Sequence, residues 1–204
     1  MPNDSPSILL LIPAYNEARR ITDSLRKMDA YLTARPYSSE ILIVDDGSGD
    51  DTSSVAREAS IGMTTPIRYL AYGSNRGKGY ALKVGFEAAR GRRILFTDSD
   101  LSTPIEETER LLEKLDQGFE MVIGTRKSAD AVIAVHQPRF RELMGKAFTF
   151  LVRQLLIDVS DVTCGFKAFK GSVGKGLSLI HISEPTRRYA MGVGGGGGVK
   201  VGGG

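Results

Sequence analysis

From Ser7 to Thr125, short apolar runs alternate with stretches of helical periodicity, and this alternation constrains the fold more than any other feature of the chain. The runs are SILLLIP (Ser7–Pro13), EILIV (Glu40–Val44), IRYLA (Ile67–Ala71), RRILFT (Arg92–Thr97) and MVIGT (Met121–Thr125). Each has the length of a strand and falls short of a helix. Between the first two, Ile21, Leu25, Met28 and Leu32 recur at helical spacing. Val55, Ala56 and Ala59 mark a second helix, and Ala81, Leu82, Gly85 and Ala89 a third. A fourth helix carries Leu111, Leu112 and Leu115, with Thr103 expected as N-cap, Pro104 at its first position and Glu106 closing a capping box. Strand and helix in strict turn imply right-handed βαβ units and a mostly parallel α/β sheet with helices on both faces.

The unusual residues follow the runs. PAYNE (Pro13–Glu17) comes after the first, DDGSGDD (Asp45–Asp51) after the second and GSNRGKG (Gly73–Gly79) after the third. DSD (Asp98–Asp100) comes after the fourth and GTR (Gly124–Arg126) overlaps the end of the fifth. All five fall at the carboxyl ends of strands, the edge where open α/β sheets bind ligands. A single cluster reads equally well as a turn or a cap; five on one edge point to a site.

Within that edge, Asp98 and Asp100 stand two residues apart. Strand side chains alternate faces, so positions two apart point the same way and the two carboxylates are expected to share a face. Two like charges held together repel unless a cation lies between them, and a hard divalent ion with oxygen ligands suits the pair. The alternative is a solvated loop whose Asp and Ser residues cap the next helix. One cysteine, Cys164, and two histidines cannot assemble a His/Cys zinc cluster, so any metal here is held mainly by oxygen. Cys164 and His136 read as structural, and a single cysteine fits a reducing cytoplasm.

Composition, 41% hydrophobic and 25% charged, is that of a globular domain. No run approaches the ~18 apolar residues of a membrane span, and the polar start MPNDSPS does not resemble a signal peptide. The net charge of +3 arises from Lys175 onward, which leaves residues 1–174 neutral and gives no reason to invoke nucleic acid. The segment LSLIHISEPTR (Leu177–Arg187) resembles a translated sequencing-library adapter, and a glycine-rich stretch follows it. The expected organisation is therefore one domain over residues 1–173 and a non-native, disordered tail over 174–204.

Two common phosphate motifs do not fit. Gly73–Gly79 is one residue short of a P-loop before Gly77-Lys78, and Gly79 stands where a Ser or Thr would bind Mg²⁺. No G-x-G-x-x-G follows the first strand. Pro13, Ala14, Tyr15 and Glu17 instead offer a rigid turn, an aromatic face and a carboxylate that suit a base and ribose; the plainer reading is a strand-to-helix turn with Asn16 as N-cap. Asp45-Asp46-Gly47 has a similar alternative as a tight turn.

PAYNE, VDDGSGDDT, NRGKGYAL, FTDSDLSTP, IGTR and CGFKAF, in this order and spacing, resemble the family-2 glycosyltransferases of the GT-A fold. The likeness is greatest to the dolichyl-phosphate β-glucosyltransferase branch, with polyprenyl-phosphate mannosyltransferases as relatives. It covers residues 7 to about 170. It implies a Rossmann-like sheet, truncated here on the acceptor side. Pro13, Ala14, Tyr15, Glu17, Asp45, Asp46, Lys78 and Asp98 would then bind the nucleotide sugar, with Asp45 reading the base. Asp98 and Asp100 match the family's DxD and would hold Mg²⁺ or Mn²⁺, Asp100 the stronger ligand, and Ser102 stands where a further oxygen can be supplied.

The resemblance further implies inverting transfer, with glucose from UDP-glucose favoured over mannose from GDP-mannose. The acceptor would be a polyprenyl or dolichyl phosphate at a membrane surface, the enzyme lying peripherally on the cytoplasmic face. Arg126, Arg139 and Arg141 would position the acceptor phosphate, Arg126 and Arg139 joining the two aspartates in catalysis. The alternative is a solvated basic helix start. Arg139–Ile157 is either an interfacial helix or an ordinary core helix. The rival from another class is an inert nucleotide-binding module of the same fold.

Overall fold

The computed structural model describes residues 5–124 and 165–173, with the backbone of 189–193 and 200–201. Arg126, Arg139, Arg141, His136, Cys164 and the Arg139–Ile157 segment lie outside these residues. The chain forms two compact units, residues 1–106 with 169–181 and residues 107–168 with 182–204.

The first unit holds the alternation anticipated above. Its strands are β1 (Ile8–Ala14), β2 (Ser39–Asp45), β3 (Ile67–Ala71) and β4 (Arg93–Phe96), interleaved with helices α1 (Ile21–Thr33), α2 (Thr52–Ser60) and α3 (Lys78–Ala88). All four strands are parallel, in the order β3-β2-β1-β4. β1 pairs on both sides, which explains its unbroken apolar run: Ile8 to Ile12 are all 0% exposed. β3 is half-exposed along most of its length, as suits its outer place in this order.

α1 buries the stripe read from its periodicity, Ile21, Leu25, Met28 and Leu32, and adds Tyr31. In α2 only Ala56 of the three expected apolar positions is buried, beside Thr52. α3 packs unusually close to the sheet. A Cβ at Gly85 would lie 2.3 Å from the Leu11 side chain, so glycine here sets the helix-to-strand distance. Phe86 closes the same face edge-on to Phe169, with centroids 5.1 Å apart.

Two local expectations need correcting. The Thr103 capping box does not form: a 3₁₀ turn at Ile105–Glu107 leads into helix α4 (Thr108–Asp116), and the helix start has no side-chain cap bond. Asn16 does not cap α1, which begins at Ile21; it sits at φ +56°. In the second unit α4 buries Leu111, Leu112 and Leu115 as expected, and β5 (Met121–Gly124) follows it. Strand β6 (Lys167–Lys170) follows in the chain. β7 (Tyr189–Val193) pairs parallel with β5, and β8 (Lys200–Val201) antiparallel with β7. These seven backbone positions are strand within a segment expected to lack structure; YAMGV does begin and end on β-formers, Tyr189 and Val193.

Candidate functional site at the strand ends

The ends of β1 and β2 are tied together before any side chain reaches outward. Asn16 N–H donates to Ser48 Oγ at 2.9 Å, and Gly49 N–H donates to Asn16 Oδ1 at 2.9 Å. Glu17 N–H donates to Thr52 Oγ1 at 2.8 Å, and Ala18 N–H to Asp50 Oδ2 at 3.2 Å. Burial acts to raise the Asp50 pKa, but the hydroxyl and amide of Thr52 and the amide of Ala18 outweigh it and hold the carboxyl below its ordinary value. The left-handed Asn16 is therefore held from both directions, and it leaves Tyr15 projecting at 47% exposure.

Asp45 and Asp46 end β2, both almost fully buried, at 4% and 3% exposure. Asp45 is spent on the fold: Oδ1 accepts from Ser48 N–H at 2.9 Å and Oδ2 from Tyr69 O–H at 2.5 Å. Burial and that hydrogen bond push the Tyr69 hydroxyl up to about 12. Asp46 Oδ1 accepts from Tyr72 O–H at 2.6 Å and from Arg76 N–H at 2.8 Å, and burial with that bond raises Tyr72 as well. Asp46 Oδ2 accepts nothing from the described residues. Gly47, at φ +69°, lets this loop touch the next: a Cβ there would lie 2.4 Å from the Ser74 carbonyl carbon. Arg76 stacks over Tyr80 at 3.7 Å, and Tyr80 meets Tyr72 edge-on at 5.2 Å.

β4 stops at Phe96, so Asp98 and Asp100 lie in a turn rather than on the strand. Strand alternation is thus not what brings them together. The turn closes through Leu101 N–H to Asp98 O at 3.2 Å and forces Leu101 to φ +49°, a costly conformation for a bulky residue. Ser99 is buried while Asp98 is half-buried and Asp100 exposed. Asp98 Oδ1 pairs with Lys78 Nζ at 2.5 Å; Asp100 Oδ1 accepts from Ser102 N–H at 3.0 Å.

These ends enclose a cleft of about 320 Å³. Pro13, Ala14, Tyr15, Glu17, Asp46, Lys78, Asp98 and Asp100 line it, all expected from the sequence, and Asn75, Gly77 and Ser99 join them. Of the expected residues in this unit, Asp45 and Ser102 are absent from the lining, whereas Asp46, next to Asp45, is part of it. Sequence reading overlooked the supporting tyrosines, although Tyr69 and Tyr72 stand three apart across the end of β3, opposite two adjacent aspartates. A larger groove of about 440 Å³ lies on α1 and α2. Its Asp29 is spent on the amides of Thr64 and Thr65, at 3.3 and 2.8 Å.

No group of three or more His, Cys, Asp or Glu suited to a metal occurs among the described residues. The pair Asp98 and Asp100 nonetheless suits Mg²⁺ or Mn²⁺. The second carboxylate oxygen of each accepts no hydrogen bond from the described residues. Such ions are commonly held by one or two carboxylates, with phosphate oxygens and water completing the shell.

Known proteins resemble this chain in sequence and in fold. The family description "Glycosyl transferase family 2" matches residues 9–175. The human dolichyl-phosphate β-glucosyltransferase is 30% identical over 197 residues, covering 89% of this chain and 61% of that protein. Glycosyltransferase AglD of Haloferax volcanii is 34% identical over 168 residues, covering 79% of this chain and 26% of the relative. The chain thus spans less than two thirds of either. Among solved structures, the Pyrobaculum calidifontis mannosyltransferase PcManGT, in complex with GDP-Man and Mn²⁺, superposes with a TM-score of 0.58 at 22% identity, covering 86% of this chain and 48% of that one. Mannosyl-3-phosphoglycerate synthase of Rubrobacter xylanophilus gives 0.62 at 18% identity, over 82% and 55%. At such identities these two speak for the fold alone.

Proposed function

The chain belongs to glycosyl transferase family 2, and from that premise we propose that it transfers glucose from UDP-glucose, with inversion, to a polyprenyl or dolichyl phosphate. The observation that carries the reading is the cleft itself: an exposed aromatic ring, a buried carboxylate, a lysine and two turn-borne aspartates converge at the ends of β1, β2 and β4. Tyr15 offers its face to the base, and Asp46 Oδ2 is free to accept from the base or ribose. Lys78 carries the positive charge toward the diphosphate. Asp98 and Asp100 would hold Mg²⁺ or Mn²⁺, which when bound stabilises the departing nucleoside diphosphate as a Lewis acid.

The acceptor needs no strong base. A lipid monophosphate, with a second pKa of about 6, is largely dianionic at pH 7 and requires positioning rather than deprotonation. Arg126, Arg139 and Arg141 are assigned that task from the sequence, since Arg grips phosphate with two parallel bonds. A lipid acceptor places the reaction at a membrane surface, for which we propose peripheral association with the cytoplasmic face. Among the described residues no helix is long and apolar enough to cross a membrane.

GDP-mannose is the second donor to test, because a mannosyltransferase bound to it shares the fold. The experiment supplies labelled UDP-glucose or GDP-mannose with a short-chain polyprenyl phosphate, with Mn²⁺ or with EDTA. Metal-dependent formation of glucosylated lipid phosphate supports the proposal. Mannosyl product alone would reassign the donor, and binding without any turnover would favour the inert nucleotide-binding module.

A further inference from the structure

We infer that Lys78 is a counter-ion seated on Asp98 that has to be drawn away before a divalent cation can settle there, so that metal and nucleotide enter the cleft together. The inference rests on the donor-site reading above. Lys78 opens α3, and its Nζ lies 2.5 Å from Asp98 Oδ1 and 5.1 Å over the Phe96 ring. No cation of the described residues pairs with Asp100. One of the two carboxylates is thus open, and the other carries a positive charge already.

An ammonium and a divalent ion on one carboxylate repel each other at a few ångströms. The metal alone therefore meets a site weakened by Lys78. The pair is not a strong structural tie: the side chains are 52% and 25% exposed, and partly solvated ion pairs contribute little to stability. A diphosphate offers Lys78 a second, more highly charged partner and at the same time supplies oxygens to the metal. The nucleotide thereby removes the competitor and completes the shell. Coupling of this kind is reciprocal, so the metal must strengthen nucleotide binding by the same factor that the nucleotide strengthens metal binding.

The test titrates Mn²⁺ into the full chain and follows free Mn²⁺ by electron paramagnetic resonance, with and without UDP. Lys78→Met and Lys78→Gln are compared with Lys78→Arg, each checked by thermal unfolding. The expected result is weak Mn²⁺ binding by the unsubstituted protein alone and much tighter binding with UDP. Either neutral variant should bind Mn²⁺ alone roughly tenfold more tightly, and the UDP enhancement should shrink by a comparable factor. Lys78→Arg should behave like the unsubstituted protein. Unchanged Mn²⁺ affinity in both neutral variants, with UDP enhancement intact, would overturn this inference and leave the donor site standing. No Mn²⁺-dependent UDP binding by the unsubstituted protein would overturn both.

Discussion

Asp98 and Asp100 differ in what else they do, and their substitutions should differ accordingly. Asp100 is exposed and accepts only the Ser102 amide, so Asp100→Asn should leave stability within ~0.5 kcal/mol while abolishing Mn²⁺-dependent binding of a nucleoside diphosphate. Urea unfolding and calorimetry check the two halves; unchanged metal-dependent binding would contradict the assignment. Asp46 has the opposite profile, buried and fixed by Tyr72. Tyr72→Phe removes one of its donors and should cost about 1–2 kcal/mol, seen as a lower urea midpoint at constant slope. The raised Tyr69 pKa gives a pH prediction. A tyrosine that ionises less readily folded than unfolded contributes stability fully present below pH ~10 and lost as pH rises toward about 12. Tyr69→Phe should flatten the alkaline fall in melting temperature across that window; an unaltered profile would mean that Tyr69 is not its source.

At the scale of elements, what the sequence revealed depended on how local the cause was. The α1 stripe was legible because burial of Ile21, Leu25, Met28 and Leu32 follows from spacing alone. That Asp98 and Asp100 belong to one cleft was legible, but not their geometry, since they lie in a turn that puts Leu101 at positive φ. Likewise Asn16 has the residue type of a cap, yet bonds to Ser48 and Gly49, more than thirty residues away in sequence, take it for a clasp between loops. Thr103 and Glu106 form a valid capping pattern that loses to a 3₁₀ entry into α4. Gly85 read simply as one position of a helical face, because its role is set by Leu11 on another element. Gly85→Ala should therefore destabilise despite alanine's better helix propensity, by about 1–3 kcal/mol through overpacking. Denaturant unfolding that shows a gain instead would mean α3 can shift away from β1 at little cost.

For the whole molecule, the sheet and its ligand edge were readable because parallel βαβ order forces strand ends, and the loops after them, to one side. Which of two adjacent aspartates lines the cleft was not readable, since the partners that occupy both oxygens of Asp45 but only one of Asp46 include residues of another strand and its following loop. The proposal that ties these observations together is that the cleft takes a nucleotide sugar and that Asp98 and Asp100 would hold its metal. Its most direct test is calorimetric titration of UDP-glucose into the protein in Mn²⁺ and, separately, in EDTA. The account predicts saturable one-to-one binding in Mn²⁺ that disappears in EDTA; binding of equal strength in both would contradict it.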